Sequence, residues 1–124
     1  MIKYITPEDI YNTLHYLSDD CQNPVIDGNC VYSDEDGNHC IAGDIMVKLG
    51  FIPPAWGDHD NISPIDHIIN ERYPEEFDHD AIDMLLVGQN TADKFTHYDE
   101  PHAWGNAKKE MIAFYERLIA EEHK

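Results

Sequence analysis

Apolar residues recur at three- and four-residue intervals in five separate stretches of this chain, each bounded by proline, glycine or a capping polar residue. That pattern commits most of the sequence to amphipathic helices. In the first stretch Thr6 is placed to cap, Pro7 suits the first helical position, and Glu8 and Asp9 favour the positive end of the helix dipole. Ile10, Leu14 and Leu17 follow, until Asp19-Asp20. Ile41, Ile45, Met46 and Leu49 form a second face that stops at Gly50, and Pro53-Pro54 prevents continuation. Ser63-Pro64 opens a third, carrying Ile65, Ile68, Ile69 and Tyr73 and closed by Pro74. Asp78 is expected to cap the fourth, with Phe77 and Ile82 as a hydrophobic staple and Leu85, Leu86 and Gln89 continuing the face. The fifth begins near Pro101 and carries Trp104, Ala107, Met111, Phe114, Tyr115 and Leu118. Glu121 and Glu122 oppose the dipole in its last turn, which predicts fraying there.

Between the first two helices the signal changes. Cys30-Val31-Tyr32 reads as a short strand, Asp36-Gly37 as a tight turn and His39-Cys40 as the return arm, predicting one β-hairpin near residues 30–40. The stretch with Pro24 and Asp27-Gly28 reads as a loop. No internal repeat or low-complexity block interrupts the pattern. The expected fold is therefore α+β and mostly helical, with about five helices and one short hairpin, in a single acidic globular domain over residues 1–124.

Such a domain must carry an unusual charge. Twenty-five Asp and Glu face eight Lys and Arg, for a formal net charge of −17, and no base stands between Lys3 and Lys48. Direct nucleic-acid binding and anionic membrane surfaces are disfavoured, because both depend on Lys and Arg meeting phosphates. A basic protein surface remains as the expected partner. Protonating the eight histidines would roughly halve the charge, so this character should soften in acid. The start lacks an apolar signal-peptide core and no run approaches the ~18 apolar residues of a membrane span, so a cytoplasmic location is expected. Three cysteines, an odd number in wide spacing, do not read as a disulfide framework.

One segment resembles a known group. Cys30-Val31-Tyr32, the acidic turn ending at Gly37, Cys40-Ile41-Ala42-Gly43 and the helix ending Leu49-Gly50 are similar to small, uncharacterised proteins of actinobacteria and their phages. Leu86, Gln89 and Asp93 followed by Trp104-Gly105-Asn106-Ala107 match a later segment of that group. Asn38-His39 replaces a proline of the pattern, and the stretch between Asp93 and Trp104 is longer here. The resemblance implies a phage or prophage origin, hence the host cell cytoplasm, and no established activity. Read from the residues alone, Gly37 serves a positive-φ turn and Gly43 allows helix and hairpin to approach closely. Cys30 and Cys40 are expected as buried thiols.

Chemistry-bearing patterns are thin. Cys21, Cys30, His39 and Cys40 lack zinc-finger spacing. With Gly37 as the sixth position of a calcium loop, the first and twelfth fall on Tyr32 and Gly43, where acids are needed. Asp58-His59-Asp60 and Asp78-His79-Asp80 are two Asp-His-Asp triplets. His39, His59, Asp60 and Asp93 reproduce the ligand order of HD-type phosphohydrolases, which makes a metal-dependent phosphohydrolase the alternative reading. No nucleophile elbow, phosphate loop or deaminase signature occurs, and no cofactor is expected.

The leading expectation is a non-enzymatic, phage-type accessory protein that binds another macromolecule through acidic surfaces, in one version imitating nucleic acid to inhibit a host defence enzyme. Its contact residues would be Asp19, Asp20, Asp34, Glu35, Asp36, Glu75, Glu76, Asp78 and Asp80, with Trp56 as an exposed loop anchor. The polar, aromatic insertion from Thr96 to His102 is a candidate binding loop. A further alternative is a small-ligand sponge, for which Lys94, Lys108, Lys109 and Arg117 would have to converge on one pocket to accept an anion.

Overall fold

The computed structural model describes residues 4–122. Helix α1 spans Pro7–Thr13 and tightens into a 3-10 turn over Leu14–Tyr16. The expected capping box is present: Thr6 Oγ1 accepts from the Asp9 amide, and the Asp9 carboxylate accepts from the Thr6 amide at 2.9 Å. Strands β1 (Val25–Ile26) and β2 (Asn29–Cys30) precede helix α2 (Ile41–Lys48). A second 3-10 turn covers His59–Ile62, followed by α3 (Ile65–Arg72), α4 (His79–His97) and α5 (Ala103–Glu122). The mostly helical α+β class with five helices and one short hairpin is the observed one.

The hairpin sits earlier than the residue pattern predicts. Val25 pairs with Cys30 and Ile26 with Asn29, antiparallel. Asp27 and Gly28 between them adopt φ of 51° and 82°, the doubly positive turn that an Asp-Gly pair favours. The expected arms at 30–32 and 39–40 form no strand pair: they share one backbone bond, from the Cys40 amide to the Tyr32 carbonyl at 3.1 Å, next to the isolated bridge of Ser33 with His39. Two local competitors win there. The Asp34 carboxylate accepts from the amides of Asp36 and Asn38, closing the chain into a turn. Cys40 ends the pairing as the N-cap of α2, its sulfur accepting from the Gly43 amide at 3.3 Å. The Asp78 cap is also corrected: Asp78 occupies the N-cap position of α4 without a side-chain capping bond, and the Tyr4 hydroxyl donates to its carboxylate instead.

Helix α4 runs through the middle, packed by α5, α3, α2 and α1. Ile10, Leu14, Ile41, Ile45, Met46, Ile65, Ile68, Ile69, Met84 and Leu85 are buried between these helices, as the periodicity requires. Two glycines permit close approach. A side chain at Gly43 would stand 3.1 Å from the Tyr32 carbonyl, and one at Gly88 would collide with Met111 of α5. Helix α5 continues to Glu122, with Glu121 in its last turn. No helix among the described residues is long and apolar enough to cross a membrane.

Candidate acidic binding groove

Because α1 ends in a 3-10 turn, the chain leaves it as an irregular segment that reaches β1 along one side of the 33–39 turn. A groove of about 630 Å³ lies between them. Tyr16, Ser18, Cys21 and Gln22 line it together with Asp34, Asn38, His39 and Asp44. The buried Asn23 and Trp104 line it as well. No Lys or Arg is among the lining residues, although Lys48 reaches the Asp44 carboxylate from one turn further along α2, at 3.1 Å.

The acidic wall is pre-shaped. The Asp34 carboxylate accepts from Asn38 Nδ2 at 2.9 Å, the Asn38 amide at 2.8 Å and the Asp36 amide at 3.0 Å. The Asn38 side chain first, then these backbone donors, hold its carboxyl below the usual carboxylate range. Gly37 turns the chain with φ of 84°, and Ser33 Oγ ties His39 Nδ1 at 3.0 Å while donating to the Pro54 carbonyl. Glu35 and Asp36 are thereby left exposed at the tip of a braced turn.

Asn23 organises the interior behind the groove. Its Oδ1 accepts from the Ile41 amide at 3.0 Å and from Trp104 Nε1 at 2.8 Å; its Nδ2 donates to Asp93 at 2.6 Å. Its own amide donates to Thr96 Oγ1 at 3.0 Å. One side chain thus joins β1's approach, the start of α2, α4 and α5. Burial raises the Asp93 carboxyl above its ordinary range, opposed by the Asn23 donor, Cys30 and His97. Burial likewise pushes the Cys30 and Cys40 thiols up to about 12, which leaves them as packing groups rather than nucleophiles.

The other predicted contact residues lie elsewhere. Asp19 bonds Lys108 Nζ at 2.8 Å, and Asp20 meets His102 Nδ1 at 2.6 Å. The Lys108 bond holds the Asp19 carboxyl low. Asp19, His102 and Lys108 border a second cleft of about 550 Å³ between α1 and α5, with Tyr11, His15 and Lys109. Lys94 and Arg117 do not line it, so the four bases named from the sequence converge only as the pair Lys108 and Lys109. Glu75 and Glu76 precede α4; Asp78 and Asp80 at its start join Glu8 around a smaller cleft of about 220 Å³. Trp56 is 56% exposed in the loop before the second 3-10 turn and lines none of these three clefts. Of the Thr96–His102 insertion, Thr96 is buried on Asn23 whereas Tyr98 is exposed.

The four-residue metal set does not assemble. His39 is engaged by Ser33, and Asp93 by Asn23. His59 and Asp60 stand in the second 3-10 turn, where Arg72 of α3 binds Asp58 at 2.7 Å and Asp60 at 3.2 Å. Sequence order carried no information on this separation, because the intervening helices decide it. The groove residues Gln22, Asn23 and Asp44 had no distinguishing sequence signal either: Asn23 reads simply as a polar loop residue before Pro24.

No protein-family model matches the chain, and neither a curated protein nor a solved structure matches it in sequence or fold.

Proposed function

We propose that this chain is a non-enzymatic binding protein whose acidic groove takes a lysine- or arginine-bearing segment of another protein. The observation that carries the reading is the braced Asp34 turn facing the 16–22 segment, with Asp44 beside it and no Lys or Arg among the lining residues. The Asp34 carboxylate, already held by backbone donors, loses little freedom on binding, so a cation entering the groove meets an anion in place. Support also comes from how the few bases are used. Lys48, Arg72 and Lys108 are each paired with carboxylates, which leaves the surplus acid of the chain turned toward solvent and partners.

Titration of the protein with a lysine- and arginine-rich peptide, followed by Trp104 fluorescence in the groove, tests this. Asp34→Asn keeps an acceptor for the turn while removing the charge, so the double variant with Asp44→Asn isolates electrostatics. Its affinity should fall roughly tenfold, and salt should weaken the wild type steeply. Affinity indifferent to salt, or equal in the double variant, overturns the reading. A host nucleic-acid-binding enzyme is the partner to try first, on the phage-type resemblance of residues 30–50. The mimic version adds Asp19, Asp20, Glu35, Asp36, Glu75, Glu76, Asp78 and Asp80 as stand-ins for phosphates, and competition with duplex DNA for that enzyme checks it.

A second reading has one specific observation behind it. Lys109 and His15 line the cleft between α1 and α5 with Leu14 and Ile112, beside Glu100 and the pairs that Lys108 makes with Asp19 and His102 with Asp20. Such a cleft suits a small aromatic anion. A melting temperature raised by an aromatic carboxylate or phosphate, and no longer raised in Lys109→Gln, would favour it over the groove.

A further inference from the structure

The second 3-10 turn and α3 bring two imidazoles and three carboxylates to one place. His67 and Glu71 are one helical turn apart on α3, with His67 Nε2 at 3.0 Å from Glu71 Oε2. Asp60 completes that group: one ligand atom from each of Asp60, His67 and Glu71 lies within 4.8 Å of the others. His59 touches the same carboxylate, its Nε2 3.3 Å from Asp60 Oδ1 and its Nδ1 3.6 Å from Asp58 Oδ1. Asp58, His59 and Asp60 form a second group of the same kind, so Asp60 is shared by both.

From this geometry we infer a binding site for one divalent transition ion, of the zinc class, with Asp60, His67 and Glu71 as its ligands. Four features point to this chemistry. An imidazole with two carboxylates suits zinc and its neighbours, whereas calcium and magnesium take oxygen ligands alone. The i,i+4 pair His67 and Glu71 presents two ligands from a rigid helix, and short side-chain rotations bring atoms 4.8 Å apart onto an ion with bonds near ~2.1 Å. The central ligand is fixed: Asp60 is buried, and Arg72 holds its Oδ2 at 3.2 Å while holding Asp58 at 2.7 Å, the outer support that orients metal carboxylates. Asp58, Asp60 and Glu71 set against Arg72 carry a formal surplus of two negative charges, which matches a divalent ion. Sequence order pointed toward His59 and Asp60 but paired them with His39 and Asp93, which belong to neither group.

An ion here would clamp the turn bearing Asp60 and the exposed Ile62 onto α3, next to the loop that exposes Ile52 and Trp56. This inference is independent of the groove. The test is calorimetric titration of metal-stripped full-length protein with zinc, alongside absorption of the cobalt form. Wild type should bind one equivalent with a micromolar dissociation constant, and the cobalt spectrum should show nitrogen and oxygen ligation without a thiolate charge-transfer band. His67→Gln and Glu71→Gln, at exposed positions that leave the fold intact, should each weaken binding at least tenfold. His79→Gln should leave it unchanged, since His79 and Asp83 form an i,i+4 pair with no third ligand beside them among the described residues. Absence of an equimolar site, equal affinity in His67→Gln, or a thiolate band that places the ion on Cys30 or Cys40 would each overturn the assignment.

Discussion

Replacing Asn23 by alanine should destabilise this protein more than any surface change, because one buried amide serves four elements. The substitution removes the acceptor of the Ile41 amide and of Trp104 Nε1, and the donor to Asp93. Asn23 is 4% exposed, so none of these groups regains bulk water readily. Each buried polar group left unmade costs about 1–3 kcal/mol, and a water entering the vacated space recovers part of it, for a total near ~4 kcal/mol. Against a stability of roughly 5–15 kcal/mol for a domain of this kind, that is a large share. At the unfolding entropy expected for this length, it corresponds to a melting temperature lower by roughly 15 °C. Circular dichroism melts and urea titrations of wild type, Asn23→Ala, Trp104→Phe and the double variant measure it. Trp104→Phe removes only one partner, so the two substitutions should couple by about 1 kcal/mol in the cycle. An Asn23→Ala protein that melts within about 3 °C of wild type, or a coupling of zero, would refute the claim that Asn23 organises the interior.

Two further predictions concern the same core. Gly88→Ala should destabilise by about 1–2 kcal/mol although alanine is the better helix former, because a methyl there overlaps the buried Met111 of α5. In a Met111→Ala background the same substitution should become stabilising, and urea midpoints of the four proteins check the change of sign. Asp93→Asn addresses the raised carboxyl. A folded-state pKa above the unfolded value means that the native protein holds this proton more tightly, so Asp93 costs stability as pH rises through that interval. Asp93→Asn keeps an acceptor for Asn23 and removes the charge, so its stability relative to wild type should improve from pH 3 to pH 7. Urea midpoints that stay parallel over this range would remove burial as the cause.

Much of the fold was legible because helices announce themselves locally. Ile41, Ile45 and Met46, or Ile65, Ile68 and Ile69, are buried for the reason their spacing predicts, and Thr6 with Asp9 caps α1 through atoms three residues apart. The hairpin was misplaced by a few residues because two Asp-Gly pairs competed. Only the chain's path shows that Asp34 spends its carboxylate on closing the second turn while Asp27-Gly28 carries the strands. The contact residues were legible as acids but not as a surface: Asp34 faces the groove, Asp19 is tied to Lys108, and Asp78 and Asp80 border another cleft.

Sequence alone therefore settled what is written in short-range spacing and in composition: five amphipathic helices, a small extended element and a surplus of anions that no arrangement of eight bases could neutralise. Tertiary structure decided which polar residues meet. Asn23 reaches Asp93 across 70 positions, Trp104 across 81, and Arg72 gathers Asp58 and Asp60 from a separate turn. Such meetings depend on how helices stack and where loops cross. A hydrogen bond is satisfied within a few ångströms of space, whatever the distance along the chain.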